Sequence, residues 1–167
     1  CRIKINNELH ILRNKKILLE NTNHLIDIEW NNEYQNFSYM FANLRTITYA
    51  NIIQNFKSQD MDTSYMFYNC KNLQTFSYEG FYSDNNNDNN NNFNATKMFY
   101  NCISLTSFSF NRYKQINNIN LSYMFYKCEN LNYAYFSNTM AVNDMREMFY
   151  NCNSLYSINF TNFQSDS

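Results

Sequence analysis

Proline is absent from the 167 residues, and glycine occurs once, at Gly80. Turns must therefore be made by other residues, and 34 asparagines, about a fifth of the chain, are available for them. Asn tolerates left-handed backbone and forms local Asx hydrogen bonds, so it can stand in for Gly. Charge of one sign is lacking as well: 13 Lys+Arg face 14 Asp+Glu, leaving a net charge of −1. That balance makes no electrostatic case for nucleic acid as a partner. Mean hydropathy is −0.62 and no apolar run approaches ~18 residues, so no transmembrane segment is expected. What the chain does have is 44% hydrophobic and 19% aromatic residues. Wholesale disorder does not fit that content. The chain opens at Cys1, without an initiator Met or a signal-peptide pattern, as if what preceded it had been removed.

The dipeptide Met-Phe recurs at 40, 66, 98, 124 and 148, with spacings of 26, 32, 26 and 24 residues. Taking Met as position 0, the columns line up without gaps to +12. Position +1 is Phe41, Phe67, Phe99, Phe125 and Phe149, and +4 is Leu44, Cys70, Cys102, Cys128 and Cys152. Position +7 is Ile47, Leu73, Leu105, Leu131 and Leu155, and +12 is Ile52, Tyr78, Phe110, Phe136 and Phe160. A degenerate copy set on Leu18 places Leu19 at +1, Thr22 at +4, Leu25 at +7, Ile28 at +10 and Trp30 at +12. Position −4 is then Asn14, Asn36, Asp62, Asn94, Asn120 and Asp144. Ile3 and Ile5 suggest a further partial copy at the start of the chain.

Positions 0, +1, +4 and +7 follow one face of a helix. The Asn or Asp at −4, with Ser38, Ser64, Thr96 and Ser122 at −2, supplies N-cap chemistry for a short helix. From +8 to +12 the pattern alternates, which predicts a short strand with +10 and +12 inward. The expected fold is an α/β solenoid over residues 1–167: a right-handed leucine-rich-repeat coil of about six units. One short-stranded parallel sheet is expected, with short helices opposite it. The core should comprise the Met, +1 Phe, +7 Leu and +10/+12 columns.

Three stretches carry the resemblance. Asn120–Leu131 (NLSYMFYKCENL), Asp60–Leu73 (DMDTSYMFYNCKNL) and Asp144–Leu155 (DMREMFYNCNSL) resemble the BspA-type leucine-rich repeat of surface proteins. That pattern is Asp-Met-Ser-x-Met-Phe, with Cys four after the Met and Leu three after the Cys. The match spans roughly residues 14 to 163, with Leu44 and Thr22 where Cys is usual. The resemblance implies a secreted or cell-surface protein used in adhesion or surface structure, with no catalytic residues to carry over.

Cys70, Cys102, Cys128 and Cys152 should stack in successive coils. Disulfides need Cα atoms at roughly 4.4 to 6.8 Å, so pairs are conceivable, but Leu44 in the same column favours buried thiols. Zinc lacks the CxxC spacing, and His10 and His24 lie elsewhere. Cys1 stands outside the column, with three readings: a lipid-bearing residue, a partner in an intermolecular disulfide, or an accident of where the chain was cut. N-glycosylation sequons occur at Asn36, Asn94, Asn120 and Asn159. With 34 Asn and 23 Ser+Thr, chance alone predicts about four to five, so their number is no evidence of occupancy. The Asp/Asn-rich stretch 83–93 accounts for the long spacing. Calcium ligation lacks an ordered ligand pattern there, which favours a solvated insertion.

No catalytic constellation, metal set or cofactor motif stands out, and a non-enzyme is expected. The +2 tyrosines Tyr68, Tyr100, Tyr126 and Tyr150 could stack on sugars or cover the core as a ladder. Of the two function classes, the first is a structural protein. The raw ends, Arg2–Ile5 and Tyr156–Phe160 with Phe163, show no capping segment, so end-to-end self-association into a filament is expected, with Cys1 placed at the junction. The second is a module that binds a protein or glycan through its strand face, where +11 reads Ser77, Ser109, Tyr135 and Asn159.

Overall fold

The computed structural model describes residues 2–5, 8–11, 24–30, 36–54, 61–80, 92–112, 118–137 and 142–161. The fold is a parallel β-solenoid. A longer strand from each Met-Phe repeat enters one sheet: β4 (Ile47–Gln54), β6 (Thr75–Gly80), β8 (Ser107–Arg112), β10 (Tyr133–Ser137) and β12 (Ser157–Thr161). A shorter strand ending at −4 enters a second sheet: β5 (Met61–Asp62), β7 (Asn92–Asn94), β9 (Asn118–Asn120) and β11 (Val142–Asp144). The sequence pattern announced only the first of these sheets. The large sheet has the order β12-β10-β8-β6-β4-β3-β1-β2, where β3 is His24–Trp30, β1 is Arg2–Ile5 and β2 is Glu8–Ile11. The small sheet has the order β11-β9-β7-β5.

Register in the large sheet follows the sequence columns: Phe76 faces Phe108, Tyr78 faces Phe110, and Phe136 faces Phe160. Alternation along each strand sends +10 and +12 inward, so Ala50, Phe76, Phe108, Ala134, Ile52, Tyr78, Phe110 and Phe136 are buried. The +7 Leu residues and the +1 Phe residues join them, completing one continuous core. Identical rings stack across coils: Phe67 on Phe99 and Phe99 on Phe125, both with centroids at 5.6 Å and nearly parallel planes. Rows of +10 rings meet these edge-on, as Phe108 does Phe125 at 4.9 Å. The arrangement suits the quadrupole of the rings, so the ladders gain attraction beyond their buried area.

The expected short helices are not there: no helix occurs among the described residues. In their place, −3 to +4 forms tandem turns. Met40 N–H donates to Phe37 O and Leu44 N–H to Phe41 O, and the third residue of each turn has positive φ, at Tyr39 (58°) and Asn43 (65°). That is the requirement of a type II turn, and it recurs in every Met-Phe repeat at −1 and +3. The physical reason for turns lies in the partner coil. N–H groups at −3, −1, +1 and +3 donate to carbonyls of the following coil, as Tyr65 to Thr96, Phe67 to Met98 and Asn69 to Tyr100, at 2.8 to 3.0 Å. A helix would take those N–H groups for itself. The same apolar positions point inward either way, so the inward pattern could not separate the two.

Three other expectations change. β1 pairs antiparallel with β3, and β2 antiparallel with β1, so Ile3 and Ile5 belong to a β-ribbon that covers the sheet edge rather than to a partial repeat. The copy set on Leu18 is two residues out of step, because Ile26 faces Ala50 at +10 and Ile28 faces Ile52 at +12. A one-residue register shift between His24 and Leu25 widens the offset from one residue to two. The far end of the Asp/Asn stretch is not loop: Asn92 opens β7 and Phe93 is buried in the core. The remainder of that stretch, with Cys1 and Phe163, lies outside the described residues.

Candidate functional site

The thiol column is a ladder of hydrogen bonds. Cys70 Sγ donates to Phe41 O at 3.0 Å, and Cys102, Cys128 and Cys152 donate to Phe67, Phe99 and Phe125 O at 3.1 Å. Each accepting carbonyl lies one repeat back, in the turn that carries the +1 Phe. A Cys fits because it is small, apolar and able to donate. All four are free thiols, with Cys70, Cys102 and Cys128 fully buried and Cys152 half-buried. Burial pushes the Cys70 thiol up to about 12 and Cys152 to about 11, and raises Cys102 and Cys128 well above 9.0. Protonated and enclosed, these thiols are poor nucleophiles and poor metal ligands. No cluster of three or more metal-ligating side chains forms among the described residues.

The −4 column makes Asx turns. Oδ1 of Asn94 accepts from Thr96 N–H at 3.1 Å and its hydroxyl at 2.7 Å, and Asn120 accepts likewise from Ser122. Asn36 does the same with Ser38. The sequon Asn and its hydroxyl partner are thereby locked together in three of the four sites. Asn36 is exposed, Asn94 and Asn120 are half-buried, and Asn159 is exposed on β12. In the last repeat Arg146 replaces the −2 hydroxyl and pairs with Asp144 at 2.7 Å, which holds that carboxyl below its usual range.

Two tyrosine ladders run along the turns. The +2 rings stack as Tyr68–Tyr100 (5.2 Å), Tyr100–Tyr126 (4.7 Å) and Tyr126–Tyr150 (4.7 Å). The −1 column, which periodicity passes over, holds Tyr39 stacked on Tyr65 at 4.5 Å. Lys97 Nζ then sits 5.4 Å from the centroids of both Tyr65 and Tyr123, a cation between two rings. Its signal in the sequence is the string Ser-Tyr-Met-Phe at 38–41, 64–67 and 122–125. Stacking covers both faces of every interior ring, so sugars cannot lie flat on Tyr100 or Tyr126. Only ring edges and hydroxyls face outward there.

Two surfaces remain. On the outer face of the large sheet, +9 and +11 carry Thr75, Ser77, Ser107 and Ser109 flanked by a parallel pair, Tyr133 and Tyr135, at 6.5 Å. The last coil is the other. Ile158 is 44% exposed where its counterpart Ala134 is fully buried, and Tyr156 is 80% exposed. Among the described residues, nothing accepts from the N–H groups of Met145, Glu147, Phe149 and Asn151, whose counterparts all donate to a following coil.

Inside the solenoid, the interstice between Tyr78, Phe93, Met98 and Phe110 is too tight to admit a water. The fold and these surfaces define a repeat solenoid whose described interior is filled by its own side chains. No family model, curated protein or solved structure matches the chain. No helix among the described residues is long and apolar enough to cross a membrane.

Proposed function

We propose that the chain is a non-catalytic structural protein of a cell surface or extracellular matrix, stacking head to tail into filaments. The observation that carries this reading is the single direction of the turn ladder. Every backbone bond between coils from −3 to +3 of those turns runs from an N–H to the next coil's carbonyl, so the turns of the last described coil present a row of N–H donors. Two such faces cannot pair with each other, and a contact that is not self-complementary propagates rather than closes. At the opposite edge of the large sheet, two reversals return β2 to the direction of β3 and β12. A second copy can therefore seat β2 beside β12 as one more parallel strand. The BspA-type motif and the leucine-rich-repeat format support the surface location, and Cys1 is a candidate for locking the junction.

Sedimentation velocity over a concentration series, with electron microscopy, tests the proposal. Wild-type chain should assemble into unbranched filaments. Phe149→Arg, on the half-buried open face, should stay monomeric with its circular dichroism intact. A wild-type chain that remains monomeric at the highest concentration sinks the filament. The Tyr133–Tyr135 pair on the outer strand face favours a second reading, an adhesion module for a protein or glycan, and that face is tested by binding to a glycan array. If the source is a eukaryotic secretory pathway, at least one of Asn36, Asn94, Asn120 and Asn159 should carry a glycan. An intact mass from that source equal to 20.2 kDa excludes it.

A further inference from the structure

The tyrosine ladders end in rings that are both stacked and open to solvent. Tyr39 is 58% exposed and lies 4.5 Å from Tyr65 with planes 10° apart. Tyr150 is 50% exposed and lies 4.7 Å from Tyr126 with planes 14° apart. In each pair the partners come from adjacent coils, so face-to-face contact is enforced by the stacking of the solenoid itself. Near-parallel rings at this separation bring their ortho carbons into register, which is the approach two phenoxyl radicals need. The outer ring of each pair also has room to swing as the product forms. Tyr156, more exposed at 80%, has no stacked tyrosine among the described residues and serves as an internal reference.

We propose that Tyr126–Tyr150 and Tyr39–Tyr65 are built sites for oxidative cross-linking, forming dityrosine staples between neighbouring coils. The oxidant is hydrogen peroxide acting through a one-electron catalyst such as a haem peroxidase. Each phenol gives up its O–H proton and one electron. The two phenoxyl radicals then couple through their ortho carbons, making one C–C bond. The two ortho hydrogens move to the oxygens and restore both aromatic rings. In balance the protein loses two hydrogen atoms, which reduce one peroxide to two waters. A staple of this kind joins coils 24 or 26 residues apart and restricts the unfolded chain as a disulfide does. The four thiols of the column each donate to a carbonyl that they would have to leave to supply such a link.

The test treats dilute full chain with horseradish peroxidase and hydrogen peroxide. Readouts are dityrosine fluorescence, intact mass, and mass-spectrometric mapping of linked peptides. The expected products are monomers lighter by two hydrogens per link, joined at Tyr126–Tyr150 and Tyr39–Tyr65, with a raised thermal midpoint. Tyr150→Phe keeps a ring in the stack and should abolish the first link while leaving the second, and Tyr39→Phe should do the reverse. In urea the regioselectivity should disappear. Links concentrated on Tyr156, links distributed by exposure alone, or the same pattern from the unfolded chain would each overturn the proposal.

Discussion

The coil at residues 118–137 and the coil at 142–161 carry the same columns and differ in their surroundings. In the first, Phe125, Cys128, Leu131 and Phe136 are buried almost completely. In the second, Phe149, Cys152, Leu155 and Phe160 are only half-buried, although their chain geometry repeats that of the coil before. A coil of this solenoid cannot bury its own apolar face. Each derives its core from two neighbours, so stability is a nearest-neighbour property of the stack. The same dependence holds for the backbone: the N–H groups of Leu121, Tyr123, Phe125 and Lys127 are satisfied only because the last coil is present.

The sharpest test of that comparison is a paired truncation. Phe125→Ala removes a ring stacked on both Phe99 and Phe149 and should cost about 3–5 kcal/mol in urea unfolding. Phe149→Ala, with one stacked neighbour, should cost roughly 1–2 kcal/mol. Equal losses would break the nearest-neighbour account.

The thiols sharpen it next. Burial raises Cys70 to about 12, so as pH climbs past 9.0 the unfolded chain ionises this thiol first and stability falls, up to about pH 12. By about pH 10 each buried thiol should contribute a loss on the order of 1 kcal/mol. The fall should be shallower in Cys70→Ala, measured as the urea midpoint against pH. For Cys152, raised only to about 11, the corresponding window closes earlier. Cys152 should also react first with a thiol reagent under native conditions. Uniform labelling of all four thiols would count against the ladder.

The smallest contrast concerns the +3 asparagines. Asn101 and Asn151 both hold positive φ, but Asn101 also donates through Nδ2 to Asn69 Oδ1 at 2.8 Å, and Asn69 to Asn43 at 2.9 Å. Alanine at either site carries the left-handed cost, so the difference between Asn101→Ala and Asn151→Ala isolates the ladder bond. About 0.5–1 kcal/mol is expected from paired denaturation curves. A difference near zero would make the amide ladder decorative.

By itself the sequence determined the columns. The Met-Phe register, the strand from +8 to +12 with its inward Phe76, Phe108 and Phe136, and the column of Asn or Asp at −4 with a hydroxyl at −2 were all legible, because each depends on residue type at fixed local spacing. That last pair, however, reads as a helix cap and is an Asx turn. Of the candidate site, the Cys and +2 Tyr columns could be read, while the Tyr65–Lys97–Tyr123 sandwich could not. Its column changes from Tyr to Lys at position 97, and all three residues adopt positive φ that Tyr and Lys do not advertise. Only the tertiary structure decided between helix and turn from Phe37 to Leu44. Both conformations turn the same side chains inward, and the choice rests on whether an N–H finds its carbonyl within the coil or in the next one. The same non-local pairing set the second sheet at β5, β7, β9 and β11, the antiparallel β1–β2 edge, and the two-residue offset of Ile26 and Ile28. Hydrogen bonds between coils leave no mark on the spacing within one coil, so those features waited on the stack.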